Sequence, residues 1–277
     1  MFIDPRVAHG RTQYDLASTR HMFSDNRVPE LHEVIRVALK GLGTSPGRRD
    51  VLRRLEQRAV PQLGRMGAQA SIVRSEDFTG MMVFFVTSDP EGGICEKCIK
   101  IDSSLGDTFG IATLVEIEPH ALARCMQRNG VSTLKEVHDE IRVALQFAAG
   151  IGHLVRREGG WCQVGVPANN GLFVGAVEAG SKLVLKTYLK PDANGRRSRW
   201  SAYLAMFQGR PSLSGDPARL DMTAKGWIWD HVEALMREGS VRERFPFLST
   251  PYERAGDPQD ERWEAARSAA DRESLVA

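Results

Sequence analysis

Residues 115–130 have the sequence VEIEPHALARCMQRNG, and the prediction of the fold starts from them. Apolar and polar side chains alternate up to Glu118, which is the pattern of a strand with one buried face. Pro119 ends that strand and suits a first helical turn, where its missing N–H would be unpaired anyway. Asn129 and Gly130 favour a helix stop, because glycine readily adopts the left-handed conformation there. The sequence therefore predicts a strand that runs directly into a short helix.

On the N-terminal side of this stretch, the sequence predicts strands preceded by helices. Apolar residues recur at helical spacing in two segments, 29–42 and 48–63, and at strand spacing in four, 69–74, 80–88, 94–102 and 111–118. The run Asp89-Pro90-Glu91-Gly92-Gly93 is a strong turn signal between two of these strands. Residues 1–26 show no clear period, and we expect a loosely packed arm or cap there.

On the C-terminal side, a second helix is expected over 134–149. Ser132 or Thr133 would cap it, and Glu136 is placed to complete a capping box. Three further strands follow, at 159–166, 172–177 and 182–189. After Pro191 we expect a basic loop, a helix around Ala224–Glu238 and a charged tail from Asp257.

This order of elements predicts the α+β class, with a mostly antiparallel sheet and packed helices. We divide the chain into a small helical N-terminal unit (1–67), an α+β domain (68–190) and a C-terminal helical extension with a charged tail (191–277).

Composition narrows the class of protein. The chain has 277 residues, of which 42% are hydrophobic and 26% charged, so it can bury a core and is not expected to be disordered. A net charge of +2 excludes a highly basic DNA-coating protein but permits a local basic site. We see no signal peptide and no membrane span. With four cysteines, expected to be reduced thiols, these features favour a cytoplasmic protein without a membrane partner.

His120, Arg124 and Arg128 follow one another at intervals of four, so a helix places them on one face. Histidine exchanges a proton near neutral pH, and arginine donates paired hydrogen bonds to phosphate. Such a set can move the 2′-hydroxyl proton of RNA and stabilise the pentacoordinate phosphate without a metal. The alternative is an ordinary surface helix whose arginines face solvent.

The wider pattern, residues 111–189, resembles the barnase–EndoU–colicin–RelE-like superfamily of small bacterial RNase toxin domains. His120, Ala121, Arg124 and Arg128 match its H-A-x-x-R-x-x-x-R helix, and segments 172–177 and 182–188 match the two strands that follow. Thr187 matches the polar residue at the end of the last strand.

The resemblance implies cleavage of RNA by 2′-hydroxyl transphosphorylation, with neither a metal nor another cofactor. His120 would be the acid or base, Arg124 and Arg128 would bind the phosphate, and Thr187 or Tyr188 would orient it.

A basic segment follows the last of these strands and is a candidate RNA-binding surface. Arginines beside a tryptophan can hold single-stranded RNA by charge and by stacking on its bases. A solvated loop is the alternative. The candidate residues are Lys186, Lys190, Arg196, Arg197, Arg199 and Trp200.

Cys95 and Cys98 form a C-x-x-C motif within the segment 94–102. A structural zinc site needs four ligands, and Cys125 and Cys162 do not form a second pair. We therefore favour a strand with two incidental thiols, while metal binding by Cys95 and Cys98 stays open.

The sequence supports two hypotheses for the function of this protein. The leading hypothesis is a toxin-like, metal-independent endoribonuclease whose partners are RNA and an antidote or accessory protein. The alternative is a non-enzymatic accessory protein of a phage or mobile element that binds a protein or nucleic acid. The enzyme predicts Arg124 and Arg128 open beside Thr187, whereas the alternative predicts them paired and covered. Kinase, serine-hydrolase and zinc-protease motifs are absent from the sequence.

Overall fold

The structure, a computed structural model, describes residues 5–23, 27–43, 46–76, 78–88, 93–103, 109–178, 182–191, 198–208 and 222–250. These residues form a seven-stranded, mostly antiparallel sheet with packed helices, which confirms the α+β class. None of the helices in these ranges combines the length and hydropathy that a membrane span needs.

The strands and helices are numbered in chain order. The strands are β1 (Gln69–Arg74), β2 (Thr79–Ser88), β3 (Ile94–Asp102), β4 (Phe109–Ile117), β5 (Val164–Pro167), β6 (Leu172–Val177) and β7 (Leu183–Leu189). The α-helices are α1 (Pro5–Phe23), α2 (Arg27–Leu39), α3 (Arg48–Arg54), α4 (Val60–Arg65), α5 (Pro119–Asn129), α6 (His138–Arg157), α7 (Arg199–Ala205), α8 (Met222–Arg237) and α9 (Val241–Arg244). A π-helical segment (Leu55–Ala59) joins α3 to α4, and 3₁₀ turns span Leu134–Val137 and Pro246–Ser249.

The sheet has the order β1-β2-β3-β4-β7-β6-β5. β4 and β7 pair in parallel, and the other neighbouring strands pair antiparallel. The parallel pair arises because α5 and α6 carry the chain from β4 to the far edge, from which β5, β6 and β7 return as a meander. Residues 115–130 therefore contain the end of β4, which is the central strand of the sheet, and the helix α5 that follows it.

Two apolar cores cover the sheet. One joins α2, the π-helical segment and α4 to the residues of β2 and β3 that include Phe85 and Ile99. The larger core joins α5, α6 and α8 to β4 to β7, and its members include Ile117, Phe147 and Phe173. The N-terminal helices thus share a core with the first strands, and α8 shares one with α6.

Residues 5–23, expected to belong to a loosely packed arm or cap, form helix α1. Ala8, Thr12 and Leu16 recur at intervals of four and are buried. The Thr12 hydroxyl donates to the Ala8 carbonyl at 2.8 Å and lies 3.2 Å from the Met126 sulfur on α5. Asp15 accepts a hydrogen bond of 2.8 Å from the Leu134 N–H. Of the two expectations, an arm or a loosely packed cap, this segment agrees with a cap, because a narrow buried face docks it on α5.

Gly175 lies at a β-bulge, where Lys186 is the extra residue of β7. A Cβ at Gly175 would lie 1.8 Å from the Val184 carbonyl oxygen, so the backbones could not stay paired. We expect Gly175→Ala to lower the free energy of unfolding by about 3 kcal/mol. Urea denaturation measures this. Gly110→Ala is the control, because Gly110 also lies in a strand but has nothing within 4 Å of its Cβ position. Equal losses in the two variants would contradict the close approach.

Candidate functional site

Helix α5 is held at both ends and along its length. The Glu118 N–H donates to the Leu185 carbonyl on β7 at 3.0 Å, which fixes the start of the helix. At the other end, Gly130 adopts the left-handed conformation with φ 68°, as the sequence predicted. The helix packs against both β7 and α1. The side chains of α5 therefore extend from a helix whose position is fixed by these contacts.

The polar face of α5, which we define as His120, Arg124, Gln127 and Arg128, is partly buried. Arg124 is only 5% exposed, and its Nη1 donates to the Gln127 Oε1 at 2.8 Å. His120 and Arg128 are half-buried. The structure thus places the three predicted residues on one face, with the middle guanidinium fixed by a neighbour that the sequence argument missed. The sequence did indicate this contact, because Gln127 lies three residues from Arg124 on the same side of the helix.

Tyr188 lies in a closed environment, not at an open site. It is fully buried, and its hydroxyl donates to the Glu140 carboxylate at 3.0 Å. Burial raises the pKa of the Tyr188 phenol, and the neighbouring Cys125 and Glu140 raise it further. The phenol is thus a neutral donor committed to Glu140. The prediction that Tyr188 orients a substrate phosphate is corrected to a structural role.

Glu140, on α6, is the centre of this buried polar cluster. It is buried, and its two carboxylate oxygens accept from the Asn170 N–H at 3.1 Å. The Asn170 side-chain amide also donates to Glu140. Gly171 lets the β5–β6 turn approach Tyr188 on β7, because a Cβ at this position would lie 2.7 Å from the Tyr188 hydroxyl. The cluster ties α6, β7 and the β5–β6 turn together. Sequence reasoning missed Glu140, although a carboxylate followed by Ile141, Val143 and Ala144 signals burial.

Cys125 faces the same cluster. Burial raises the pKa of the Cys125 thiol well above its ordinary value, and the Glu140 carboxylate adds to this, whereas Lys190 acts in the opposite direction. The thiol is therefore held protonated and is a poor nucleophile.

Thr187 lies on the other face of the sheet. Consecutive residues of a strand point to opposite faces, and Tyr188 points toward α6. Thr187 pairs with Val174, which in turn pairs with Gly165. Directly opposite residues share a face, so Thr187 shares the face on which Gly165 meets α7. The prediction that Thr187 converges with the polar face of α5 is therefore wrong.

The predicted RNA-binding residues are dispersed. Lys186 forms a salt bridge of 2.8 Å with Glu178. Lys190 is half-buried, and Arg199 is exposed, donates to the Gln163 Oε1 at 3.3 Å and lies over the Phe247 ring at 4.9 Å. Arg196 and Arg197 lie outside the described residues.

Trp200 belongs to an aromatic core, not to an exposed loop. Its ring is 5% exposed and lies 5.4 Å from the Tyr203 ring and 4.7 Å from the Phe247 ring, measured between centroids. Helix α7, in a segment expected to be a basic loop, positions it against β5. Because its faces are occupied by protein, the prediction that Trp200 stacks on RNA bases is corrected.

Cys95 and Cys98 are both buried in β3, are not part of a disulfide and lie on either side of a bulge between Glu96 and Lys97. Within the described part of the chain, no group of three or more His, Cys, Asp or Glu side chains is placed to hold a metal ion.

Comparison of the chain with protein-family models, with curated proteins and with solved structures found no match. The resemblance to RNase toxins therefore stays a prediction that rests on the residues themselves. What remains of the predicted site is the polar face of α5, where histidine and two arginines lie together.

Proposed function

We propose that this protein binds RNA, and that the polar face of α5 holds the phosphate backbone. The observation that carries the proposal is the Arg124 guanidinium, buried and oriented by Gln127 between His120 and Arg128 on one helix face. A buried guanidinium has to be held by hydrogen bonds, and Gln127 supplies one of those that fix Arg124. A guanidinium whose rotamer is already fixed loses little entropy on meeting a phosphate.

The dimensions and charge of this face suit a strand of RNA. His120 and Arg128 are two helical turns apart, about 12 Å along the axis, so the face is longer than a single phosphate group. Both are half-buried, so part of each side chain reaches the surface. Binding dominated by phosphate contacts is expected to weaken steeply with salt.

A second candidate, the metal-independent endoribonuclease, is favoured by one observation. His120 lies in the first turn of α5, half-buried, on the face that carries both arginines. A histidine there can take the 2′-hydroxyl proton while a guanidinium stabilises the charged phosphate. The set is smaller than the sequence predicted, since Thr187 and Tyr188 lie elsewhere, and Arg124 is covered and hydrogen-bonded to Gln127 whereas the enzyme predicted it to be open. Cleavage would have to proceed with His120, Arg124 and Arg128.

Fluorescence anisotropy with labelled single-stranded RNA tests the binding. We expect Arg128→Ala to weaken binding about tenfold and to reduce the salt slope by about one, as the loss of one phosphate contact should. Arg36→Ala on α2 is the control, because it removes the same charge from an exposed arginine paired with Glu33. RNA affinity that is absent, or that falls equally in both variants, would contradict the proposal.

The same RNA, incubated with the protein in EDTA, separates the two candidates. The enzyme predicts products with 2′,3′-cyclic phosphate ends and a loss of about 10²- to 10⁴-fold in rate for His120→Ala. RNA that stays intact while bound supports a binding protein and excludes the nuclease. His120→Ala should retain most of the binding in either case, since Arg124 and Arg128 remain.

A further inference from the structure

A cavity of about 320 Å³, open to the surface, lies in the N-terminal helical unit, between α2 and the helix formed by the π-helical segment and α4, and every residue that lines it except Ala38 is exposed. Its volume is at the lower end of the range for small-molecule sites. Pro61 lies in its wall and has no N–H to donate to the Gln57 carbonyl four residues earlier. The Val60 N–H instead donates to the Leu55 carbonyl, five residues back, which is the π-helical pattern. Such single π turns occur frequently at functional sites.

The cavity has an apolar wall and a polar rim. Val37, Ala38 and Pro61 supply the apolar part, and Val37 is 45% exposed, which is unusual for an apolar side chain of its size. The amides of Gln57 and Gln62 and the guanidinium groups of Arg58 and Arg65 supply the polar part. No carboxylate lines this cavity. The lining therefore suits a ligand with a flat apolar body, hydrogen-bonding edges and a negative charge.

The arginines of this unit are of two kinds, those that pair with a carboxylate and those that do not. Arg36 pairs with Glu33 at 2.6 Å, and Arg53 pairs with Asp50 at 2.8 Å. Arg58 and Arg65 form no salt bridge with any residue in the described ranges. In this they match the exposed Arg48 and Arg49 of α3, and what distinguishes Arg58 and Arg65 is that both line the cavity, where an external anion could meet the two together.

We propose that this cavity binds a nucleoside monophosphate unit. The base would lie against Val37 and Pro61, the amides of Gln57 and Gln62 would hydrogen-bond its edges, and Arg58 and Arg65 would bind the phosphate. Arginine suits both parts, because it stacks on bases and binds phosphate with paired hydrogen bonds. The unit is either a free mononucleotide or one nucleotide of an RNA strand.

Isothermal titration of the full chain with AMP, GMP, CMP and UMP, and with inorganic phosphate, tests the site. We expect at least one mononucleotide to bind, and to bind at least tenfold more tightly than inorganic phosphate, because the apolar wall contributes only when a base is present. A short RNA that binds the cavity while all four mononucleotides fail would assign the unit to RNA. No binding by either kind of ligand, or equal binding of phosphate and mononucleotides, overturns the proposal.

Two variants locate the binding. Arg58→Gln with Arg65→Gln should weaken it at least tenfold, and so should Val37→Glu, which adds a carboxylate at an exposed position. Arg49→Gln with Arg53→Gln removes the same charge from exposed residues of α3 and should leave affinity unchanged. Equal weakening in this control pair would overturn the assignment. Arg128→Ala should bind mononucleotides normally, so failure of this site and failure of the α5 proposal are distinguishable.

Discussion

Trp200→Ala is expected to lower the free energy of unfolding by about 4 kcal/mol, as large-to-small changes of buried tryptophan do. The ring is 5% exposed and packs edge to face with Tyr203 and Phe247. It also covers Gly165, where a Cβ would lie 2.5 Å from the Trp200 ring. Because two rings and a strand bound this space, no single neighbouring side chain can fill it. The cost of the empty cavity should therefore add to the free energy lost with the buried tryptophan surface.

Urea denaturation followed by circular dichroism measures the loss. Trp229→Ala is the matched control, because Trp229 is 39% exposed and should cost less than about 1 kcal/mol. Trp200→Phe, which keeps a ring in the core, should stay folded and bind RNA like the parent chain. A loss of RNA affinity in Trp200→Phe would restore the ring as an RNA contact, and equal stability losses in the two alanine variants would contradict its place in the core.

The strands and the α5 helix could be predicted because their signals are local. Alternation, the Pro119 start and the Asn129-Gly130 stop each depend on a few neighbouring residues, and the structure has α5 with the predicted bounds. The Thr133–Glu136 capping box also forms, although it caps a 3₁₀ turn that leads into α6. These features need no knowledge of distant packing.

Helix α1 and helix α7 were missed for a different reason. Their buried residues are few and separated by exposed ones, as in the set Ala8, Thr12 and Leu16 of α1 or the set Trp200 and Tyr203 of α7 with Phe207 just after it. Both sets have helical spacing, but a narrow apolar face predicts burial only if a partner surface exists. Those partners, α5 for one helix and β5 for the other, are brought close by the tertiary fold.

One part of the candidate site could be predicted from the sequence, and the other part could not. Helix periodicity placed His120, Arg124 and Arg128 on one face correctly. The direction of Thr187 depends on the bulge at Lys186 and on which face of β7 the helices cover, and neither is visible in sequence. Tyr188 looked like an open polar residue at a strand end because Glu140, its acceptor, is 48 residues away.

Glu140→Ala should lower the free energy of unfolding by about 3 kcal/mol, because it leaves one fully buried donor and two partly buried donors without their acceptor. The donors are the Tyr188 hydroxyl and the N–H and side-chain amide of Asn170. Glu140→Gln should cost less, since one amide oxygen still accepts, and Tyr188→Phe should cost about 1 kcal/mol, since it removes one donor and leaves the carboxylate its other two.

A double-mutant cycle between Glu140→Gln and Tyr188→Phe, measured by urea denaturation, isolates their hydrogen bond. A coupling energy of about 1 kcal/mol is expected for groups in contact within one network. RNA binding and any cleavage should be unchanged in Tyr188→Phe at temperatures where it is folded, because the phenol faces Glu140 and not the polar face of α5. A variant that is fully stable yet defective toward RNA would contradict the structural role and return Tyr188 to the site. Retained RNA binding with reduced stability would leave the α5 face as the site that the RNA experiments address.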